Sequence, residues 1–277
     1  MHLLDFLILL PMVLGIIVGM VLALSGAGGG IIAVPLLVFF LNLSIQQAAP
    51  TGLVAVGLAA GVGAFLAFRE GKLRYRAAGL MGLFGILTAP IGIFVAQKLP
   101  GEPLMFGFAL ILAWLAFKTF HQKNVAPQPS TPDSDKKTCQ IDPKTGRFSW
   151  NKPCAAALAL TGVISGFLSG LLGVGGGFVI VPTLSRYSDL RIQSAIATSL
   201  GVIAFVALSG ITAAAMQGSI NWEITLPFAV GALTGMLVGN KVSAKVNSQR
   251  LQQNFAVVCL IAATLLVIKG CGVQVFH

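Results

Sequence analysis

Ten apolar runs, separated by short polar breaks, follow one another along the chain. In the first half they lie near Leu3–Leu24, Gly30–Leu41, Ile45–Phe68, Arg76–Gln97 and Pro103–Phe120. In the second they lie near Pro153–Leu172, Gly177–Ser185, Ile192–Gln217, Ile224–Lys241 and Leu251–Ile268. Most approach the ~20 residues that a helix needs to cross a hydrocarbon core of about 30 Å. The second run of each half does not: a helix over Gly30–Leu41 is only about 18 Å long at ~1.5 Å per residue. The pattern predicts an all-α polytopic membrane protein in which each half contains one segment too short to span alone.

The short runs follow glycine clusters. "SGAGGGIIAVP" begins at Ser25, and "LGVGGGFVIVP" begins at Leu172. They are two copies of one pattern, because a shift of 147 residues without a gap superimposes the halves. Gly15 and Gly19 then meet Gly162 and Gly166; Gly26, Gly28, Gly29 and Gly30 meet Gly173, Gly175, Gly176 and Gly177. Pro35, Gln46 and Thr51 meet Pro182, Gln193 and Thr198, and the register continues to Phe108 and Phe255. Chance likeness between apolar runs would not keep Gln, Pro and Gly in step. The expected organisation is a first transmembrane repeat over 1–121, a Pro-, Ser-, Asp- and Lys-rich linker over 122–152, and a second repeat over 153–277.

With five segments per half, the second repeat enters the membrane upside down relative to the first. Charge in the loops supports this independently. "REGKLRYR" after the third segment carries four basic residues, and its equivalent "MQGSINWE" carries none. "FLNLS" has none, whereas its equivalent "SRYSDLR" has Arg186 and Arg191. Threading the chain accordingly puts all 18 Lys and Arg except Lys98 and Lys269 on one side. By the positive-inside rule that side is the cytoplasm, which leaves both termini external and the linker cytoplasmic. Inverted repeats of this kind recur among secondary transporters.

Each first-and-second segment pair then reads as a helix hairpin with its glycine turn near mid-membrane. Irregular backbone at that depth is tolerated only when buried in protein or lining a cavity. Glycine permits the turn and the close approach of a ligand. The returning half-helix points its free N–H groups and positive dipole end at the turn. Two such ends facing each other form an anion site without a charged side chain. The candidate site is therefore Ser25, Gly26, Gly28, Gly29, Gly30 and Pro35 with Gly173, Gly175, Gly176, Gly177 and Pro182. The prolines add carbonyls freed from helical bonding. Gln46, Thr51, Gln193, Thr198 and Ser199 join the set from the first turns of the third segments. Competing readings are close helix packing for the glycines, and helix capping by Ser44 with Gln47 and self-bonded threonines for the rest. Ser165 is a further hydroxyl of a kind that membrane helices use freely.

Composition narrows the function. Only 9% of residues are charged, against about 25% in a soluble chain. The formal charge of +10 lies in loops, so it marks orientation and not a nucleic-acid partner. Neither glycine cluster has the Gly-Lys-Ser/Thr ending of a phosphate loop or the G-x-G-x-x-G spacing, which argues against a nucleotide. No acidic, basic or histidine residue falls in the middle of a spanning segment, so intramembrane catalysis and a buried proton relay lack their groups. The four cysteines show no metal spacing and read as incidental thiols, and no cofactor or metal is expected. The first run has no basic leader or small-residue cleavage site and reads as a mature segment. Trp114, Trp150 and Trp222 read as interfacial anchors.

The duplicated "GAGGGIIAVPLL" and "GVGGGFVIVPTL", each followed by Gln-x-Ala-x-x-Thr, resemble the sulfite exporter TauE/SafE family of membrane transporters. The resemblance covers nearly the whole chain except the linker. It implies an inner-membrane secondary transporter, acting as an exporter, for a small sulfur-containing anion such as sulfite, sulfoacetate or a related organosulfonate. An anion channel of the same architecture and a membrane accessory subunit are the alternatives. The lipid bilayer and the anion are the expected partners.

Overall fold

The computed structural model describes residues 2–26, 28–121, 139, 152–187 and 192–243, together with 260, 263, 264 and 266. The elements are α1 (His2–Ser25), α2 (Gly28–Phe40), α3 (Ile45–Arg69), α4 (Tyr75–Lys98), α5 (Gly101–His121), α6 (Lys152–Leu172), α7 (Gly177–Tyr187), α8 (Ile192–Met216) and α9 (Trp222–Ser243). Six of them, α1, α3, α4, α6, α8 and α9, are long and apolar enough to cross a membrane. The tenth apolar run lies mostly outside the described residues, although Ala263 and Leu266 are buried with the core.

α3 and α8 are the axis of the fold and bury more of their length than the other spanning helices. They cross antiparallel. Gly57 lies against Ala207, Gly63 against Leu200, and Gly210 against Leu53. Around them the halves exchange partners: α1 packs along α9, and α6 along α4. These outer pairs run parallel and touch backbone to backbone. A Cβ on Gly15 would overlap the carbonyl of Phe228, and one on Gly19 that of Ala232. The equivalent contacts, displaced by 147 residues, join Gly162 to Met81 and Gly166 to Gly85. Gly239 on Met20 likewise matches Gly92 on Phe167. Small residues let helices approach this closely where hydrophobic burial alone gives no preference for helix over lipid.

The outward faces stay apolar. Leu83, Leu87 and Ile91 are exposed at four-residue spacing along α4, and Leu208, Leu226, Leu110 and Phe117 are exposed on other helices. This is a lipid-facing surface, not an unfinished core. Trp114 and Trp222 are also more than half or about half exposed, at 58% and 50%.

The short runs form α2 and α7, of 13 and 11 residues. Each packs back on the helix before it, α2 on α1 and α7 on α6, so each pair is a hairpin. The two breaks differ. α2 begins at Gly28, so Gly28, Gly29 and Gly30 are helical, whereas α7 begins only at Gly177. Both half-helices continue through their prolines, Pro35 and Pro182.

The cysteines correct one expectation. Cys139 and Cys154 are not incidental thiols but form a disulfide across 15 residues. Both are buried, in a cluster with Ala77, Met81, Leu158 and Leu184. Spacing could not reveal the pair, because Cys139 lies in the linker and only the fold brings it to the start of α6. Closing a loop of this size stabilises by about 3 kcal/mol in the chain-entropy account.

Two measurements check this architecture. Gly19→Ala should destabilise the protein by about 1–3 kcal/mol through overpacking. Gly79→Ala, where an added Cβ meets nothing within 4 Å, should be neutral or stabilising by up to about 1 kcal/mol. Equal melting temperatures for both variants would contradict the backbone contact of α1 with α9. Peptide mapping without reductant should recover Cys139 and Cys154 as one linked species; separately alkylated peptides would contradict the disulfide.

Candidate functional site at the paired glycine turns

The backbone at the breaks has the conformation that requires glycine. Gly26, Gly173, Gly175 and Gly176 have φ of 69°, 70°, 80° and 66°, the left-handed region that side chains disfavour. Gly26 packs against Ile196 in the first turns of α8, and Gly173 packs against Ala49 in the first turns of α3. From Gly173 the chain doubles back. Gly175 lies between Val56 and Ile203, in the middle of α3 and α8, and Gly176 lies against Ser165 of α6. α7 thus begins at mid-height of the central helices.

The two breaks touch. A Cβ on Gly30 would overlap the carbonyl oxygen of Val174, so the start of α2 rests on the second turn. Gly29 is equally closed in, against the Val18 carbonyl and Leu22. Its role is close packing of α2 on α1, since its own φ is ordinary. Each proline removes the amide that would bond the carbonyl four residues earlier, at Ile31 and Phe178. Those two residues stand in the first turn of each half-helix.

Hydroxyls hold the turns. Ser199 donates to the Gly26 carbonyl at 2.8 Å and is fully buried. Ser165 donates to the Gly176 carbonyl at 3.2 Å. The Ser199 bond serves a backbone acceptor outside any helix at membrane depth, and the Ser165 bond adds to the one that the Val179 N–H already gives the Gly176 carbonyl. Their counterparts in the other repeat are Gly52 and Val18, so the halves do not treat the two turns alike. Ser25 bonds the carbonyl of Val21 in its own helix.

The duplicated threonines are buried and tie helices together. Thr51 and Thr225 have their hydroxyl oxygens 3.2 Å apart, joining α3 to the start of α9. Thr198 donates to the Ser194 carbonyl and accepts from the backbone N–H of Arg74, joining α8 to the start of α4. Gln46 and Gln193 are at the ends of α3 and α8. Gln193 is exposed, and Gln46 donates to the Leu99 carbonyl at 3.3 Å. Ser44 is the N-cap of α3 but makes no side-chain cap bond, so the capping box with Gln47 does not form. Gln46 still reaches the turns indirectly. It lines a cavity of about 10 Å³, the space of one water, together with Gln97, Pro50, Gly170 and Gly173.

Gly52, Gln97, Ser169 and Thr225 belong to this region and were absent from the sequence-level set. The 147-residue shift holds a signal for all four. It sets Gly52 opposite Ser199, Gln97 opposite Ala244, Ser169 opposite Leu22, and Thr225 opposite Ala78. Those are positions where the copies disagree in polarity, whereas the expected site, Ser25 and Ser199 apart, consists of positions where the copies agree.

Among the described residues, six helices long and apolar enough to span, with two half-helices meeting at glycine breaks, define a polytopic membrane protein. The sulfite exporter TauE/SafE family model matches residues 11–266, and the chain belongs to that family. It is 28% identical over 256 residues to a probable membrane transporter protein of Xylella fastidiosa, covering 91% of this chain and 92% of that one. It is 26% identical to the probable membrane transporter protein YunE of Bacillus subtilis, covering 93% and 96% of the two chains. It is 25% identical to the probable membrane transporter protein MJ0441 of Methanocaldococcus jannaschii, covering 90% and 91%. No solved structure matches the chain. These relatives are named as transporters and not as enzymes.

The mirrored geometry at Ser199 and Gly52 makes a prediction. A Cβ on Gly52 would stand 3.4 Å from the Gly173 carbonyl oxygen, an ordinary contact. Gly52→Ser should therefore supply the second turn with the bond that Ser199 gives the first. One such bond is worth about 0.5–1 kcal/mol, or roughly 1–4 °C in Tm. An unchanged or lower Tm in thermal unfolding would contradict it.

Proposed function

We propose that the protein is a secondary transporter that exports a small sulfur-containing anion, such as sulfite, sulfoacetate or a related organosulfonate. Alternating access takes place around a central site formed by the two glycine turns. One observation carries this reading: α7 begins at mid-height of the central helices and the start of α2 meets the second glycine turn, with no ionised side chain beside them among the described residues. Helix N-termini placed so favour an anion through their N–H groups and dipoles. The family description adds sulfite as the first substrate to try.

The turns are closed on each other, with room beside Gly173 for about one water. An open pore would be a channel; a closed centre suits a carrier that opens to one side at a time. Rocking of the two inverted repeats supplies that motion. Loop charge gives the orientation, with the linker in the cytoplasm of a bacterial-type inner membrane and both termini outside. The disulfide lies on the linker face and is of a kind that persists mainly in oxidising compartments. Burial of both sulfurs slows its reduction, since thiol exchange needs access to a sulfur.

Counterflow in proteoliposomes tests the function. Unlabelled sulfite or sulfoacetate trapped inside should drive transient accumulation of the labelled anion against its gradient, which a channel cannot do. Gly175→Ala tests the site. Its neighbours are side chains and not backbone, so the variant should fold, with a strain of about 1–2 kcal/mol. It should lose anion affinity by about tenfold or more, because its methyl enters the centre. Wild-type affinity in a folded Gly175→Ala protein would refute the glycine turns as the site.

A further inference from the structure

The hydroxyl of Ser169 is buried and has no hydrogen-bond partner. Most hydroxyls in this fold solve that problem locally. Thr161, on the same helix, donates to the Ala157 carbonyl at 2.7 Å, and Thr183 and Thr198 bond back four residues in the same way. Ser169 does not, although that bond is open to any serine in a helix. The fold itself does not need a hydroxyl there. In the other repeat the equivalent position is Leu22, which is apolar and fully buried in the core. A serine therefore replaces a serviceable leucine and leaves a buried donor unsatisfied, a condition that calls for an absent partner.

The position indicates what the partner is. Ser165 and Ser169 are four residues apart and share one face of α6. Ser165 on that face bonds the Gly176 carbonyl, immediately before α7 begins. Gly176 lies against Ser165. α7 runs back along α6 from that point, so Ser169, one turn nearer the break on the same face, stands beyond the end of α7 towards which its first N–H groups point. The Gly176 carbonyl is already engaged by Ser165 and by the Val179 N–H. Donors therefore outnumber acceptors at this end. The next residue, Gly170, lines the water-sized cavity that also reaches Gly173.

We propose that Ser169 is a substrate-binding residue whose hydroxyl donates to an oxygen of the transported anion, held at the N-terminus of α7. The inference rests on the anion-site reading above and deepens it. The ligand sits off the line between the two turns, at the second turn, because the first has Val18 and Leu22 where the second has Ser165 and Ser169. The chemistry fits an oxyanion or sulfonate, which offers several acceptor oxygens and needs no donor to meet it.

Calorimetry on purified wild type, Ser169→Ala and Thr161→Ala, with sodium sulfite and with sulfoacetate as probes, tests the proposal. Ser169→Ala should weaken binding about tenfold, the effect of one hydrogen bond to a charged group. Its Tm without anion should equal or exceed that of wild type, because an unpaired buried donor has been removed. A merely structural serine would lower Tm and leave affinity alone. Thr161→Ala should keep wild-type affinity. If wild type binds and Ser169→Ala binds as well, Ser169 is not a ligand and this proposal alone falls. If wild type binds neither probe, the anion site falls with it.

Discussion

Backbone polar groups cannot reach water inside a bilayer, and this constraint governs the whole arrangement. A helix satisfies itself; a break in a helix does not. The two glycine breaks are therefore possible only because other parts of the protein enclose them. Ser199 and Ser165 supply donors to the carbonyls of Gly26 and Gly176. α3 and α8 supply the walls, through Ala49, Val56, Ile196 and Ile203. Among the described residues, the left-handed glycines of the breaks thus lie against the most buried spanning helices.

Enclosure also explains the exchange of partners between halves. α1 ends in the first break, yet it packs on α9 from the other repeat, and α6 packs in the same way on α4. Neither hairpin is held by its own half alone. The contacts are glycine against carbonyl, at the limit of approach, so the helices can slide or separate but not interpenetrate further. A motion that opens one turn must therefore move both halves.

The sequence carried the architecture well, because the constraint acts directly on residue type. Apolar length gave the spanning helices, and the shortness of the runs at Gly30 and Gly177 gave the half-helices. Shifting one half on the other gave equivalences that recur as contacts, Gly15 on Phe228 and Gly162 on Met81 among them. Function within the site was less legible. Gly29 and Gly30, expected at the site, also make room for the Leu22 side chain, the Val18 carbonyl and the Val174 carbonyl. Thr51 and Thr198, expected there too, also tie α3 to α9 and α8 to α4. Packing and binding make the same demand for small or hydroxylated residues, so residue type cannot separate them. The Cys139–Cys154 pair was hidden for another reason: it depends on where the linker returns, which no local pattern encodes.

The differences between the copies have their own consequence. A perfect inverted repeat would give inward-open and outward-open states of equal energy, related by the same two-fold operation. Here the first turn has Ser199 and the second faces Gly52, while Ser165 and Ser169 stand opposite Val18 and Leu22. The breaks themselves begin their half-helices at different points, Gly28 and Gly177. Most of these differences add or remove a hydrogen bond or a degree of backbone freedom at a turn, and Ser169 adds an unpaired donor. Each such term is of the order of 0.5–1.5 kcal/mol, and about 1.4 kcal/mol shifts a two-state equilibrium tenfold. A few unmatched hydroxyls are therefore sufficient to make one side the resting side. The hydroxyl positions are thus where two otherwise matched halves come to differ in energy.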